Sequence, residues 1–242
     1  MKPSNATVDV SSLSPRETNI SIFLVGVMFF MFGFISWVNA ILIPYFKIAC
    51  ELTSFQAYLV AFAFYIAYFI MSVPASYLLK TQGFKKGMMI GFWFMALGAF
   101  IFIPAAMTRT YGIFLMGLFT IGIGLSILQT AANPYITILG PKERGAQRIS
   151  IMGICNKAAG ILSPLIFAAV ILRPTDTDLF AQLSTMNDLQ RSAALDELVR
   201  RVITPYTVLG IFLLVLGYLV YRSPLPEINT EQESAEVATA NA

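Results

Sequence analysis

Residues 110–141 read TYGIFLMGLFTIGIGLSILQTAANPYITILGP and contain no charged side chain in a run of 32 residues. A helix rises 1.5 Å per residue, so about 20 apolar residues cross the roughly 30 Å hydrocarbon core of a bilayer. This run is long enough to do so, and helices of water-soluble proteins rarely go so far without a charge. The stretch therefore predicts a transmembrane helix over about 111–139.

Five further stretches, on both sides of this one, pass the same test. Inside a bilayer every backbone polar group must be paired within the protein, which favours helices. The ten-residue alternating segments of a transmembrane barrel are absent from the sequence. We therefore predict an all-α membrane protein with six transmembrane helices, over about 20–46, 53–79, 87–108, 111–139, 149–172 and 202–222.

The composition excludes several other classes of protein. Of the 242 residues, 57% are hydrophobic and 12% are charged, and histidine is absent. A soluble domain has about 25% charged residues. The net charge of +3 is small and scattered, which excludes a nucleic-acid-binding protein. Cys50 and Cys155 lie on different segments without metal-ligand spacing, so we expect inert thiols, no metal and no cofactor.

The connecting segments predict an orientation and a domain plan. If the N-terminus is cytoplasmic, the short cytoplasmic loops carry six Lys and Arg residues and the opposite short loops carry two, which favours both termini inside. In the long outer loop, apolar residues recur at helical spacing, and the i,i+4 pairs Asp196–Arg200 and Glu197–Arg201 add support. The predicted plan is a cytoplasmic tail (1–19), a six-helix domain (20–222) whose outer loop (173–201) contains an amphipathic helix, and a disordered tail or the start of a linker (223–242).

Polar residues in the fifth predicted span form one helical stripe. Ser150, Gly153, Lys157, Gly160 and Pro164 follow each other at steps of three or four residues. Lys157 is predicted to lie roughly 13 Å into the membrane, near its midplane, where a lysine costs about 2.5–3.5 kcal/mol. One interpretation is that Lys157 lines a polar cavity as a substrate ligand or a coupling charge. The other is that it snorkels to an edge or packs against helix carbonyls.

Other polar side chains within the spans are candidates for the same cavity. Gln129 and Asn133 offer amide donors and acceptors that suit sugar hydroxyls, but they could equally form hydrogen bonds between helices. Trp37 could stack on the apolar face of a sugar ring or belong to the core. Tyr65 is better explained by core packing. The candidate substrate-binding residues are Gln129, Asn133, Asn156, Lys157, Trp37, Asn39 and Tyr65, with Lys157 also the candidate for coupling.

At these residues the chain resembles the glucose/galactose/fucose branch of sugar transporters in the major facilitator superfamily. The segments that carry the resemblance are 55–80 (FQAYLVAFAFYIAYFIMSVPASYLLK), 128–141 (LQTAANPYITILGP) and 148–160 (RISIMGICNKAAG). It extends over roughly residues 20–222. The resemblance implies an inverted repeat of three plus three helices, a place in the bacterial inner membrane and a sugar substrate. The Asn156-Lys157 pair looks most like members assigned to glucose, galactose or N-acetylglucosamine.

The sequence departs from this branch at titratable positions. Proton-coupled fucose members carry an Asp in Asn-Asp-Ile-Leu-x-Pro, where this chain has Ala40, and a Glu where it has Gln129. Lys80 also stands where the superfamily's loop between spans 2 and 3 normally has an Asp. Coupling through the usual pair of carboxylates is therefore not expected, and Lys157 is the remaining candidate in these spans.

The family has twelve spans, and this chain resembles the first six. It could be a fragment or truncated product, could pair with a separately encoded second half, or could form a homodimer. We expect a secondary transporter of a hexose-type sugar working by alternating access, present as a half. A non-transporting fragment or assembly partner is the alternative. An intramembrane enzyme is poorly supported, because the chain has no histidine and no Gly-x-Ser-x-Gly motif.

Overall fold

The computed structural model describes residues 14–139, 142–183, 185–223 and 225, without the side chains of 39–41, 138 and 142. Most of the predicted tails, 1–19 and 223–242, lie outside these ranges. Six segments of the described chain are helices long and apolar enough to cross a membrane, which confirms the all-α membrane fold. The helices are α1 (Pro15–Ala49), α2 (Ser54–Gln82), α3 (Phe84–Thr108), α4 (Tyr111–Ile138), α5 (Gly145–Ile171), α6 (Asp176–Gln182), α7 (Asp188–Arg200) and α8 (Ile203–Arg222), with a 3-10 turn at Lys142–Arg144 before α5.

Helix ends follow capping residues rather than hydropathy. The hydroxyl of Ser14 accepts a hydrogen bond from the backbone N–H of Glu17, whose carboxylate accepts one from the N–H of Ser14, and Pro15 occupies the first turn. Such a capping box pairs backbone groups that the first turn leaves unsatisfied. For this reason α1 begins before the charge-free stretch that predicted it. Thr53 starts α2 in the same way.

Helix pairing places the six spans in alternating directions. α1 packs on α5, α2 on α4, and α3 on both α4 and α8. The residues in contact show that α1 and α5 run parallel and that α3 and α4 run antiparallel, as expected for helices that cross the membrane in turn. In a three-plus-three repeat, α1, α2 and α3 correspond to α4, α5 and α8. The counterpart of the α1–α5 pair is then the α4–α2 pair, and the α3–α8 pair is its own counterpart. The pairing therefore has the symmetry of the predicted three-plus-three repeat.

Glycines bring α3 and α4 into close backbone contact. A Cβ on Gly124 would lie 2.4 Å from the carbonyl oxygen of Gly91, and one on Gly98 would lie 2.7 Å from that of Gly117. Helices in lipid associate through such small-residue faces, because lipid gives no hydrophobic force between them. This seam, together with the stacked rings of Phe102 and Tyr206 at 4.1 Å, forms the most buried part of the bundle. In contrast, α2 and α5 are the least buried spans.

Ion pairs fasten α7 across one end of the bundle. Arg109 pairs with Glu51 at 3.4 Å and with Asp196 at 3.2 Å, and Glu51 pairs with Arg191 at 2.7 Å. Glu51 and Arg109 both have left-handed backbones, with φ values of 52° and 49°, at the turns that follow α1 and α3. Asp196 thus pairs with Arg109 and not with the predicted Arg200, because α7 folds back over those two turns.

A second pair at the same end is buried. Arg201 Nη1 lies 2.8 Å from both carboxylate oxygens of Asp176, and the two side chains are 13% and 4% exposed. Arg201 also contacts Glu197 at 3.2 Å, as the i,i+4 spacing predicted. The Asp176–Arg201 pair links α6 to the start of α8 and closes the long loop.

Replacing Asp176 with asparagine should therefore destabilise the chain strongly. Removing one partner of a buried pair costs about 3–5 kcal/mol, and we expect the lower end here because Arg201 keeps its 3.2 Å contact with Glu197. Thermal unfolding of the detergent-solubilised protein measures the effect. The matched control is Glu197→Gln, whose side chain is 60% exposed and whose pairs with Arg173 and Arg201 should contribute at most about 1 kcal/mol. Equal melting temperatures for the two variants would show that the buried pair does not stabilise the loop.

Cys50 lies beside this cluster at the end of α1. Burial raises the pKa of its thiol to about 11, although the nearby Arg109 guanidinium opposes the shift. The thiol therefore stays protonated at neutral pH, and the thiolate, which is the nucleophile, is scarce.

Candidate functional site

The predicted site residues come from four helices that pack in two pairs. Trp37 lies on α1 and Asn156 and Lys157 on α5, which pack together. Tyr65 lies on α2, and Gln129 and Asn133 on α4, which form the other pair. Asn39 lies on α1, but its side chain is outside the described part of the structure.

Lys157 and Trp37 face each other at the surface of the α1–α5 pair. The ammonium of Lys157 lies 6.0 Å from the centroid of the Trp37 ring, at the limit of a cation–π contact. Both side chains are exposed, with Trp37 at 44%. Within the described ranges no carboxylate lies within ion-pairing distance of Lys157. The pair therefore offers an open aromatic face with a positive charge beside it.

Gly160 positions the indole of Trp37. A Cβ at Gly160 would lie 2.7 Å from Nε1 of Trp37, so the ring rests directly on the α5 backbone. Gly160 is one turn beyond Lys157 on the predicted stripe of small and polar residues. Gly160 thus serves two purposes: it allows close packing on α1 and it holds the ring beside the ammonium.

Asn156 joins α5 to α1. Its Nδ2 donates a hydrogen bond to the backbone carbonyl of Phe29 at 3.1 Å. At the same level a Cβ on Gly33 would lie only 2.1 Å from the carbonyl oxygen of Asn156, so the two backbones are in contact. Asn156 is half-buried, and its Oδ1 is not used by this bond. The side chain thus bridges two helices, which is the role that the sequence offered for the amides of Gln129 and Asn133 as the alternative to sugar binding.

Gln129 contacts a tyrosine that was not among the predicted site residues. Its Nε2 donates a hydrogen bond to the hydroxyl of Tyr68 at 3.4 Å. The Tyr68 ring lies 6.4 Å from that of Tyr65, so the three side chains form a continuous polar and aromatic group on α2 and α4. Tyr65 is 64% exposed and is not a core residue. The sequence signal for Tyr68 was its three-residue step from Tyr65, which places both on one helix face.

Asn133 stands apart from both groups. It is exposed on α4, immediately before Pro134, and α4 continues as a helix through this proline. No hydrogen bond links Asn133 to another predicted site residue in the ranges that the structure covers. The structure therefore brings Trp37 to Lys157 and links Gln129 to Tyr65 through Tyr68, and does not join these two groups by a direct contact.

Comparison with known proteins gives these residues a context. Residues 25–239 match the model of the Major Facilitator Superfamily. The L-fucose-proton symporter of Escherichia coli K12 is 35% identical over 227 residues, which cover 94% of this chain and 52% of that protein. A glucose/galactose transporter of Brucella abortus biovar 1 (strain 9-941) is 39% identical over 176 residues, 73% of this chain and 42% of that protein.

A solved structure also matches this chain over about half of its own length. The crystal structure of a major facilitator transporter called FucP, in the outward conformation, matches with a TM-score of 0.73 at 36% identity, over 87% of this chain and 51% of that one. The chain thus spans about half the length of the curated relatives it matches. Because the family model covers most of its residues and its six helices follow the fold of a solved member, this chain belongs to the Major Facilitator Superfamily.

Proposed function

We propose that this chain is one six-helix half of a secondary transporter that moves a hexose-type sugar by alternating access. The carrying observation is the Lys157 ammonium beside the exposed face of Trp37, on helices that otherwise lack charge at this level. Two relatives named as transporters of fucose and of glucose and galactose support the substrate class. The first six spans of the family's twelve are the half that the resemblance implies.

The two side-chain groups have the chemistry that a sugar requires. A pyranose ring has an apolar face that stacks on an indole, and hydroxyls at its edge that accept hydrogen bonds from an ammonium. In our proposal Trp37 and Lys157 supply these contacts on one side. Gln129, Asn133 and Tyr65 supply amide and hydroxyl groups on the other, and Asn156 and Asn39 complete the set. Transport needs no covalent step and no cofactor.

The residues that replace the family's carboxylates limit where coupling to a proton can occur. Ala40 and Gln129 cannot take up a proton, so a proton or an equivalent coupling charge would act through Lys157. The Asn156-Lys157 pair favours glucose, galactose or N-acetylglucosamine over fucose. In family transporters the site lies between two halves, so a second six-helix half or a second copy would complete it. We place the chain in the bacterial inner membrane with both termini in the cytoplasm, as its loop charges indicate.

An uptake experiment tests the transport proposal. Cells without hexose carriers of their own would express this chain alone, or with the remaining half of the Brucella abortus glucose/galactose transporter. We expect saturable uptake of radiolabelled glucose or galactose with the second half present, at least roughly tenfold above the chain alone, because half a site binds sugar weakly. Membrane fractions must contain both chains. No uptake in either case, with both chains in the membrane, would contradict the proposal.

A further inference from the structure

A groove of about 460 Å³ runs between α1, α5 and α8, away from the predicted sugar site. Its lining surface is apolar and includes Phe34 of α1, Val170 of α5 and Val208 of α8. Val170 and Val208 remain 58% and 62% exposed, so the groove opens to the outside of the bundle. Water in a cavity needs two to four polar partners, which this surface does not offer. The groove therefore favours an apolar occupant over ordered water.

The symmetry of the fold explains why the groove exists. The three-plus-three repeat makes α8 and α1 the counterparts of α3 and α4. The α3–α4 pair closes through the contacts of Gly91 with Gly124 and of Gly98 with Gly117. In α1 and α8 the described glycines face other helices, with Gly33 against α5 and Gly210 against α3. Large side chains face the gap instead, so these two helices do not close on each other and a hollow is left.

The length of the groove matches one leaflet of a bilayer. On α8 its lining runs from Thr204 to Phe212, nine residues whose eight steps rise about 12 Å. Half of the bilayer's hydrocarbon core is about 15 Å. The lining along α8 is thus nearly as long as the hydrocarbon region of a single leaflet is thick.

A positively charged residue, Arg200, lies near one end of this lining. Arg200 is the last residue of α7, and only Arg201 and Val202 separate it from α8. Arg200 lies four residues before Thr204, the first residue of α8 in the lining, and its side chain is exposed. Within the described ranges Arg200 forms no ion pair, unlike Arg191 and Arg201 nearby. A guanidinium near the end of an apolar groove can pair with the phosphate of a lipid headgroup.

We propose that this groove holds an acyl chain of one membrane phospholipid, whose phosphate pairs with Arg200. The inference does not depend on sugar transport, because none of the predicted sugar-binding residues lines the groove. The lipid would be a structural ligand that fills the gap between α1 and α8.

Native mass spectrometry of the full chain in mild detergent, with added palmitoyl-oleoyl-phosphatidylglycerol, tests the proposal. We expect one retained phospholipid per chain. Val208→Trp, which fills the groove, should reduce retention roughly tenfold. The matched control is Val215→Trp, on the same helix, 51% exposed and outside the groove, which should retain the lipid. Arg200→Gln should weaken retention roughly fivefold, and Arg222→Gln, at the other end of α8, should not.

Three results would overturn the proposal. One is a wild-type chain that retains no phospholipid. Another is an equal loss of lipid in Val208→Trp and Val215→Trp, or in Arg200→Gln and Arg222→Gln. The third is a dimer mass in the wild type that Val208→Trp abolishes, which would assign the groove to a second copy of the chain. Because Arg200 is exposed, its substitution tests the phosphate contact without disturbing the core.

Discussion

Replacing Gly33 with alanine is expected to push the first and fifth spans apart and to destabilise the bundle. The added Cβ would lie 2.1 Å from the carbonyl oxygen of Asn156 and 2.9 Å from its carbonyl carbon. These are backbone atoms of a helix, which cannot rotate away as a flexible side chain would. Forced overpacking typically costs about 1–3 kcal/mol, and we expect the upper end here because two helices must move apart.

Fluorescence-detected size-exclusion chromatography and thermal unfolding in detergent measure this effect. The matched control is Gly153→Ala on α5, where a Cβ would meet nothing within 4 Å. That change should be neutral or slightly stabilising, since alanine is favoured over glycine within helices by about 0.5–1 kcal/mol. A Gly33→Ala protein with the same yield and melting temperature as Gly153→Ala would show that the α1–α5 contact does not hold the bundle together.

The first and fifth spans also show how far the sequence determines the fold. Charge-free stretches predict the six spans, because a bilayer admits charges only at a high cost. The stripe of α5 correctly places Lys157 and Gly160 on one face, because helical periodicity fixes which residues share a face. Periodicity does not identify the helix that this face meets. The contact of Gly160 with Trp37 could therefore be found only in three dimensions.

The same limit applies to contacts between polar groups that are distant in sequence. The i,i+4 rule predicts the pair Glu197–Arg201, which forms, and Asp196–Arg200, which gives way to Asp196–Arg109. Residues near each other in sequence interact weakly at the surface, and a turn that approaches from another helix can compete with them. Tyr68 was missed as the partner of Gln129 for a related reason, since their contact depends on the register of α2 against α4.

Replacing Lys157 with methionine should leave the fold intact and remove most of the transport. Methionine has nearly the same length as lysine and no charge, so Trp37 should keep its contact with Gly160. In a membrane the change removes a cost of about 2.5–3.5 kcal/mol, so the melting temperature should stay the same or rise. Hydrogen bonds from a charged group contribute about 1.5–3 kcal/mol, so the loss of one to a sugar hydroxyl predicts a decrease in uptake of roughly 10- to 100-fold.

Sugar uptake with the second half co-expressed, compared at equal protein levels, measures this loss. Lys86→Met, which removes an exposed lysine at the start of α3, controls for the change in net charge and should transport normally. Lys157→Arg separates charge from shape. It should retain part of the uptake if a positive charge suffices, and little if the compact ammonium is needed beside the indole. Full uptake by Lys157→Met would mean that the lysine only packs at the helix surface, and the sugar site would then have to be sought on the Gln129–Tyr68 side of the bundle.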